Sequence, residues 1–322
     1  MARMARAIVA PPLRWLLGNR EQRRIARRYW LRDPAVGAAE RAIHFVMRLV
    51  PIDVCSYSGA AITCLTRRFY PDSELRARKA WSVLRPQESD PTSVNDAMNR
   101  LWRNVGRTMH EYSILDRLWA AGRIDVSDIE HLDRARDQSK PILVTPVHLG
   151  NWEVVLVAGI ARGHCGSGIY EPPQNRFEHR IANAVRARYG ARFVASGPSS
   201  LRAAVRELRA RQGPFIVYID EFIRGRVQAP SFGRPLRPEA NIAYAVRLAA
   251  ITGAVVIPAY CLRLHDSAWF RVQFLPPLQL ASSGDRKADI AENVRRLDAV
   301  IAPIIQAHLD QWYFALDFEF DG

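Results

Sequence analysis

Pro141-Ile142-Leu143-Val144-Thr145-Pro146-Val147-His148-Leu149-Gly150-Asn151-Trp152-Glu153 is the stretch that decides how this chain folds. Its first seven residues form a short apolar run rich in Ile, Leu and Val, which reads as a buried strand. Gly150 supplies a turn, and 151–161 then reads as a helix with Gly163 near its end. The alternation continues downstream. Helices are expected over 177–189, 199–211 and 239–252, and a long one over 287–309. Strands are expected over 214–219, 254–258 and 270–274. Upstream, 34–140 reads as mostly helical: 76–84 and 94–120 carry apolar residues at three- and four-residue spacing, as in Ala97, Leu101, Val105, Met109 and Ile114. The Pro/Asp/Ser stretch 86–93 separates these two helices. Strands alternating with helices imply an α/β fold, a mixed sheet covered by helices on both faces.

The same stretch carries the densest chemistry. It puts His148 at the carboxyl end of a strand, where α/β sheets gather ligands and catalytic groups. A histidine there suits a general base, since its ordinary pKa lies near working pH. Glu153, in the first turn of the following helix, is placed to orient the imidazole and stabilise its protonated form. That helix start also offers backbone N–H groups to an oxyanion or a phosphate. Gly150 permits close substrate approach, and Asn151 and Trp152 border the turn. No G-x-S-x-G elbow is present. A base that activates the acceptor's own hydroxyl needs no enzyme nucleophile, so direct transfer fits. Cys55, Cys64, Cys165 and Cys261 show neither CxxC pairing nor a histidine at metal spacing, so neither a metal site nor a disulfide framework is expected.

The chain has 322 residues and a net charge of +14, and all but three of its 46 basic residues (Lys79, Lys140 and Lys287) are arginine. At 48% hydrophobic it is no disordered chain. The first 32 residues hold nine arginines against Glu21, a net +8, interleaved with Ile8, Val9, Leu13, Trp15, Leu16, Leu17, Tyr29, Trp30 and Leu31. A basic, Trp-containing arm suits the headgroup layer of an anionic membrane surface, although a solvated terminus or a cleaved transit peptide shares its composition. The most apolar segment, 42–65, is interrupted by Arg48, Pro51 and Asp53, too soon for a transmembrane helix. The organisation read from this is a membrane-associating region over 1–66 and an enzymatic domain over 67–322. An Arg-rich nucleic-acid-binding protein without catalysis is the competing reading, but the body lacks a recognisable binding module, so no nucleic acid is expected.

His148-Leu149-Gly150-Asn151-Trp152-Glu153 resembles the H-x4-[DE] signature of glycerolipid-type acyltransferases, in the H-x-GNWE form of the late acyltransferases of lipid A biosynthesis. That family also includes phosphatidylinositol mannoside acyltransferases. The likeness runs from about Arg68 to Trp312. It takes in Asn104-Val105-Gly106-Arg107 with Glu111, then Tyr170, Pro172 and Asn175 followed by Arg186 and Arg188. Further on it takes in Ile219-Asp220-Glu221, Ser231-Phe232-Gly233, Ala249, Thr252-Gly253, Pro258 and the closing Asp310-Gln311-Trp312. The resemblance implies an O-acyltransferase on the cytoplasmic face of the inner membrane. His148 would deprotonate the hydroxyl of a glycolipid acceptor such as a lipid A precursor, which attacks the thioester of an acyl carrier protein or coenzyme A. No cofactor is implied beyond that co-substrate. Arg186 or Arg188 would bind phosphate or steady the oxyanion, and both equally suit an exposed helix face. Asp220 and Glu221 would complete the polar site. Trp152, Phe215 and Tyr218 suit either an acyl-chain groove or the core.

Three departures bear on the acceptor. Relatives close with a basic cluster after the final Trp, whereas this chain has Ala315-Leu316-Asp317-Phe318-Glu319-Phe320-Asp321. Glu171 stands where relatives often carry arginine, and Glu221 where they often carry glutamine. All three move charge towards negative, which argues for a less anionic lipid than a diphosphorylated one.

Overall fold

The computed structural model describes residues 10–320 apart from 165, 174, 198, 212 and 224, so Arg3, Arg6, Ile8, Val9, Cys165 and Asp321 lie outside the described residues. The N-terminal part is helical: α1 (Arg20–Arg27), α2 (Asp33–Leu49), α3 (Ile52–Thr66), α4 (Pro71–Leu84), α5 (Pro91–Glu111) and α6 (Leu115–Ala120). Strands then enter as β1 (Ile124–Ser127), α7 (Glu130–Asp137), β2 (Ile142–Pro146), α8 (Glu153–Ala161), β3 (Ser167–Tyr170), α9 (Arg176–Arg188) and β4 (Arg192–Ala195). The remainder is α10 (Ser200–Ala210), β5 (Phe215–Ile216), β6 (Phe222–Ile223), β7 (Arg226–Val227), α11 (Asn241–Thr252), β8 (Val255–Leu264), β9 (Trp269–Phe274) and α12 (Arg286–Ala307).

Seven strands form one sheet in the order β1-β9-β8-β2-β5-β3-β4, and β6 and β7 make a separate hairpin. All pairings in the large sheet are parallel except β8 with β9, so the sheet is mixed. Its central strands are buried on both faces. Leu143, Phe215 and Val256 enter one core cluster, and Val144, Ile216 and Ile257 the other. This explains why Pro141–Val147 reads as a continuous apolar run rather than an alternation. From β2 the chain passes through α8, within one core, to β3; from β5 it passes through α11, within the other core, to β8. The neighbours β2 and β5 therefore send the chain in opposite directions, which opens a crevice at their carboxyl ends.

The span 34–140 is mostly helical, as expected, and also carries the short strand β1 between α6 and α7. Strand β1 is four residues long, places Asp125 among apolar neighbours, and forms the sheet margin beside β9, so no apolar run announces it. Strands β3 and β4 are equally short and include Ser167 and Arg192, so no apolar run announces them either.

The apolar segment 42–65 is divided at Pro51, which caps α3 just after α2 has ended. Among the described residues no helix is long and apolar enough to cross a membrane. Instead α3 lies against α5 at a backbone-to-backbone crossing. A Cβ on Gly106 would stand 2.2 Å from the Gly59 carbonyl oxygen, and one on Gly59 would stand 2.2 Å from that of Gly106. Large apolar side chains left exposed are concentrated in this helical part, among them Leu17 (92% exposed), Leu31, Phe45, Leu49, Tyr57, Leu65 and Phe69.

Gly106→Val is expected to destabilise the protein by about 1–3 kcal/mol, because two backbones must part to admit the side chain. Gly159→Ala, where an added methyl meets nothing within 4 Å, is expected to stabilise α8 by about 0.5–1 kcal/mol. Urea unfolding of the two variants checks both signs; equal destabilisation would contradict the close crossing.

Candidate functional site

Strand register brings the two central residues together. Leu143 lies opposite Phe215 and Val144 opposite Ile216. The ladder continues as Val217 N donates to Val144 O (3.0 Å) and Ile219 N to Pro146 O (3.2 Å). Extending that register sets Asp220 beside His148. The backbone N–H of His148 donates to Asp220 Oδ2 at 2.8 Å, and its Nδ1 meets Oδ1 at 2.8 Å. Trp312 Nε1 donates to the same Oδ2 at 2.8 Å. Asp220 has no exposed surface, so three N–H groups stand in for the water it has lost.

An ionised carboxylate only accepts, so Nδ1 carries the proton and the lone pair rests on Nε2. Among the described residues nothing hydrogen-bonds to Nε2, and 13% of the side chain stays exposed. Around the imidazole stand the rings of Tyr218, Phe314 and Trp152, with centroids 4.5, 4.8 and 5.1 Å away. Burial opposes protonation of His148, but the charge and hydrogen bond of Asp220 outweigh it, helped by Glu221 and Glu153, and the net pKa is raised above 6.5.

The structure corrects the partner expected for the imidazole. Glu153 does not touch His148; its carboxylate accepts from Arg186 Nη2 at 2.8 Å and from the Tyr189 hydroxyl at 3.3 Å. It opens α8, and its side chain is held by residues of α9 and the turn after it. Its effect on the imidazole is through charge alone. Arg186 is correspondingly committed. Besides Glu153, its guanidinium lies 4.2 Å from the ring centre of Phe193 and 4.9 Å from that of Tyr170. Burial works against its charge, yet Glu153 holds its pKa raised. A cavity of about 370 Å³ adjoins it, lined by Tyr170, His179, Asn183, Ala191, Phe193 and Ala195.

Other residues named from sequence have structural partners. Asn175 caps α9, its side chain accepting from Phe177 N. Arg188 is exposed near the end of that helix. Gly150 has φ +57°, and a Cβ there would lie 2.7 Å from Cys261 O. Trp152 accepts from the Tyr218 hydroxyl at 2.8 Å through its carbonyl. Phe215 is fully buried in the core. Glu221 meets Asn241 Nδ2, and burial raises its carboxyl pKa. Asn151 donates to Glu111 Oε2 at 3.0 Å, entering a buried group that sequence reading did not assemble. In it Arg263 grips both oxygens of Glu111, at 2.6 and 2.8 Å, while Ser56 donates to Oε1 at 2.6 Å. Thr108 Oγ1 then donates to the Gly150 carbonyl at 3.0 Å.

Burial holds the Cys55 and Cys261 thiols at about 12, so neither is a thiolate nucleophile near neutral pH. Among the described residues Cys55, Cys64 and Cys261 are free thiols, and no group of three or more His, Cys, Asp or Glu is placed to hold a metal. The arrangement is a base with an open nitrogen, a buried carboxylate behind it and aromatic walls. It is equipped to take a proton from a hydroxyl.

The family model for bacterial lipid A biosynthesis acyltransferases matches residues 24–317. Comparison with curated proteins gives no match.

Asp220→Asn is expected to lower the His148 titration midpoint, because burial is then opposed only by the weaker charges of Glu221 and Glu153, whereas Glu153→Gln moves it less. Since the folded pKa is raised, the stability that His148 contributes is present below its unfolded pKa and lost as pH rises through the folded one. Imidazole NMR titration of the two variants checks this order, and a larger shift in Glu153→Gln would reverse the assignment.

Proposed function

The chain belongs to the bacterial lipid A biosynthesis acyltransferase family and is an acyltransferase, and from its site we propose that it moves a fatty acyl chain from an acyl thioester to a hydroxyl of a glycolipid at a membrane surface. The observation that carries the reading is the 2.8 Å pairing of His148 Nδ1 with Asp220, which leaves Nε2 as the free base. Nε2 takes the proton of the acceptor hydroxyl as its oxygen attacks the thioester carbonyl. The tetrahedral intermediate collapses with cleavage of the C–S bond, and the imidazolium returns the proton to the departing thiolate. Asp220 balances the imidazolium in a site too dry for water to do so. The N-terminal N–H groups of α8 favour the negative charge that develops on the carbonyl oxygen. The donor is the thioester of an acyl carrier protein or of coenzyme A.

For the acceptor, local charge supports a headgroup of low negative charge. Asp220 and Glu171 each add negative charge felt by Glu221, Glu221 and Asp220 act on the imidazole, and the charge of Arg186 is already met by Glu153. A lipid A precursor or a related glycolipid remains the class, with a hydroxyl rather than a phosphate nearest His148. The acidic tail adds less than its sequence implies, because Asp317 and Glu319 both lie 3.6 Å from Arg76.

Membrane docking is supported by the exposed apolar side chains of the N-terminal helices together with their arginines. Residues of that kind enter the interfacial layer while guanidinium groups meet anionic headgroups. The cytoplasmic face of the inner membrane, where acyl thioesters are found, is the proposed location.

His148→Ala is expected to reduce transfer about 10²- to 10⁴-fold, with Asp220→Ala close behind. The assay supplies labelled acyl carrier protein or acyl coenzyme A with total membrane lipid and identifies the product by mass; near-normal transfer by His148→Ala would sink the reading. Leu17→Glu, Leu49→Glu and Leu65→Glu are each expected to weaken binding to anionic phospholipid vesicles about tenfold or more, as expected from losing one buried Leu. Unchanged vesicle flotation in all three would remove the docking face.

A further inference from the structure

The segment Gln311–Phe314 is bound to the turn that carries His148, although more than 160 residues of chain separate them. Gly150 N donates to Gln311 O at 3.0 Å and Tyr313 N to His148 O at 3.0 Å, with Leu149 and Trp312 as the bridged pair between them. Gln311 fixes the segment from its other side, accepting from Arg263 N at 2.8 Å and donating to Arg263 O at 3.1 Å. This strap delivers Trp312, fully buried against Phe318 and Phe232, to Asp220 Oδ2.

A carboxylate behind an imidazole has two freedoms that matter: rotation about its own axis and the share of negative charge on each oxygen. Here both are constrained. Among the described residues, Oδ2 receives two N–H groups, from the His148 backbone and the Trp312 indole, and Oδ1 receives Nδ1 alone. From this geometry we infer that Trp312 is a positioning residue for the transfer reaction: its indole N–H fixes the rotation of Asp220 and takes up part of its negative charge. The inference rests on the reading of His148 as the base.

The chemistry gives the direction of the effect. A general base must be unprotonated to act, and a carboxylate with fewer donors would hold a proton on the imidazole more strongly. The groups acting on His148 are Asp220 and Glu221 beyond β5 and Glu153 at the start of α8, with Tyr218, Trp152 and Phe314 as its ring neighbours. All three carboxylates favour the imidazolium, and the Trp312 N–H, together with the His148 backbone N–H, moderates them at Asp220.

Trp312→Phe keeps most of the buried ring and deletes the donor. In this variant the His148 midpoint, followed by imidazole NMR, is expected to rise by about half a unit to one unit. The acid limb of kcat/KM moves up with it, and activity returns to within about threefold of the parent at pH values above the new midpoint. Loss of activity at all pH values with the midpoint unchanged would make Trp312 merely structural and overturn the proposal. Should the variant fail to fold, the parent protein supplies the test: the assigned Trp312 indole N–H resonance, distinguished from that of Trp152 beside the imidazole, should titrate with the His148 midpoint. A Trp312 indole resonance that ignores that titration overturns the proposal equally. If kcat/KM in the parent does not follow the imidazole midpoint, the catalytic reading of His148 fails while the indole titration still judges Trp312.

Discussion

The carboxylate of Asp220 has no contact with solvent, and the rest of the site is arranged around what that requires. Removing an ionised carboxylate from water costs several kcal/mol unless hydrogen bonds replace its hydration. Three N–H groups do so, and they come from two distant parts of the chain: the turn after β2 and the C-terminal strap. The arrangement depends on register, because a slip of one residue in β5 against β2 would turn Asp220 to the other face of the sheet. Packing of the sheet and protonation of the imidazole are thus one problem with one solution.

A second buried charge stabilises the same turn from behind. Glu111 and Arg263 are both fully enclosed, and their two-pronged pair is joined by Ser56 and Asn151. An isolated ion pair at this depth is of doubtful net value to stability, but breaking it by removing one partner costs about 3–5 kcal/mol. Its position gives it a more specific consequence. Asn151 sits in the turn, Ser56 on α3 and Arg263 on β8, so the pair ties the N-terminal helices to the loop that presents His148. The α3–α5 crossing at Gly59 and Gly106 brings Ser56 close enough to take part.

How much of this was legible in the sequence follows from the range of each interaction. The apolar runs of β2, β8 and β9 and the periodic helices are local patterns, and they predicted the sheet and its covering layers. Short marginal strands such as β1 and β4 carry polar residues and leave no such pattern. For the site, His148 was legible from its place after a strand. Its partner was not, because nearness in sequence favoured Glu153 five positions on. The same strand-end argument applied to 214–219 would have put Asp220 beside His148, since both residues follow parallel neighbours. Trp312 could be read only as part of a resemblance, because a hydrogen bond across 92 residues has no local sign.

The charge of +14 acquires a narrower meaning from these contacts. Arg186, Arg263 and Arg76 are each paired with a carboxylate, so the body's arginines near the site are largely internal fasteners rather than a surface for anions. Arg176 is stacked 3.8 Å from the ring centre of Tyr29 and donates to the Tyr29 carbonyl, which spends that cation on holding the N-terminal helices in place. A guanidinium already bound to a carboxylate has little field left for a phosphate. By sequence the first 32 residues carry +8 of the +14, interleaved with leucines and aromatic residues, while the charges acting on His148 are carboxylates. On the proposed reading, such a division separates the means of reaching an anionic surface from the means of choosing a substrate on it. Under that reading the strongly basic region meets the lipid phase, and the acidic site favours a hydroxyl over a phosphate within it.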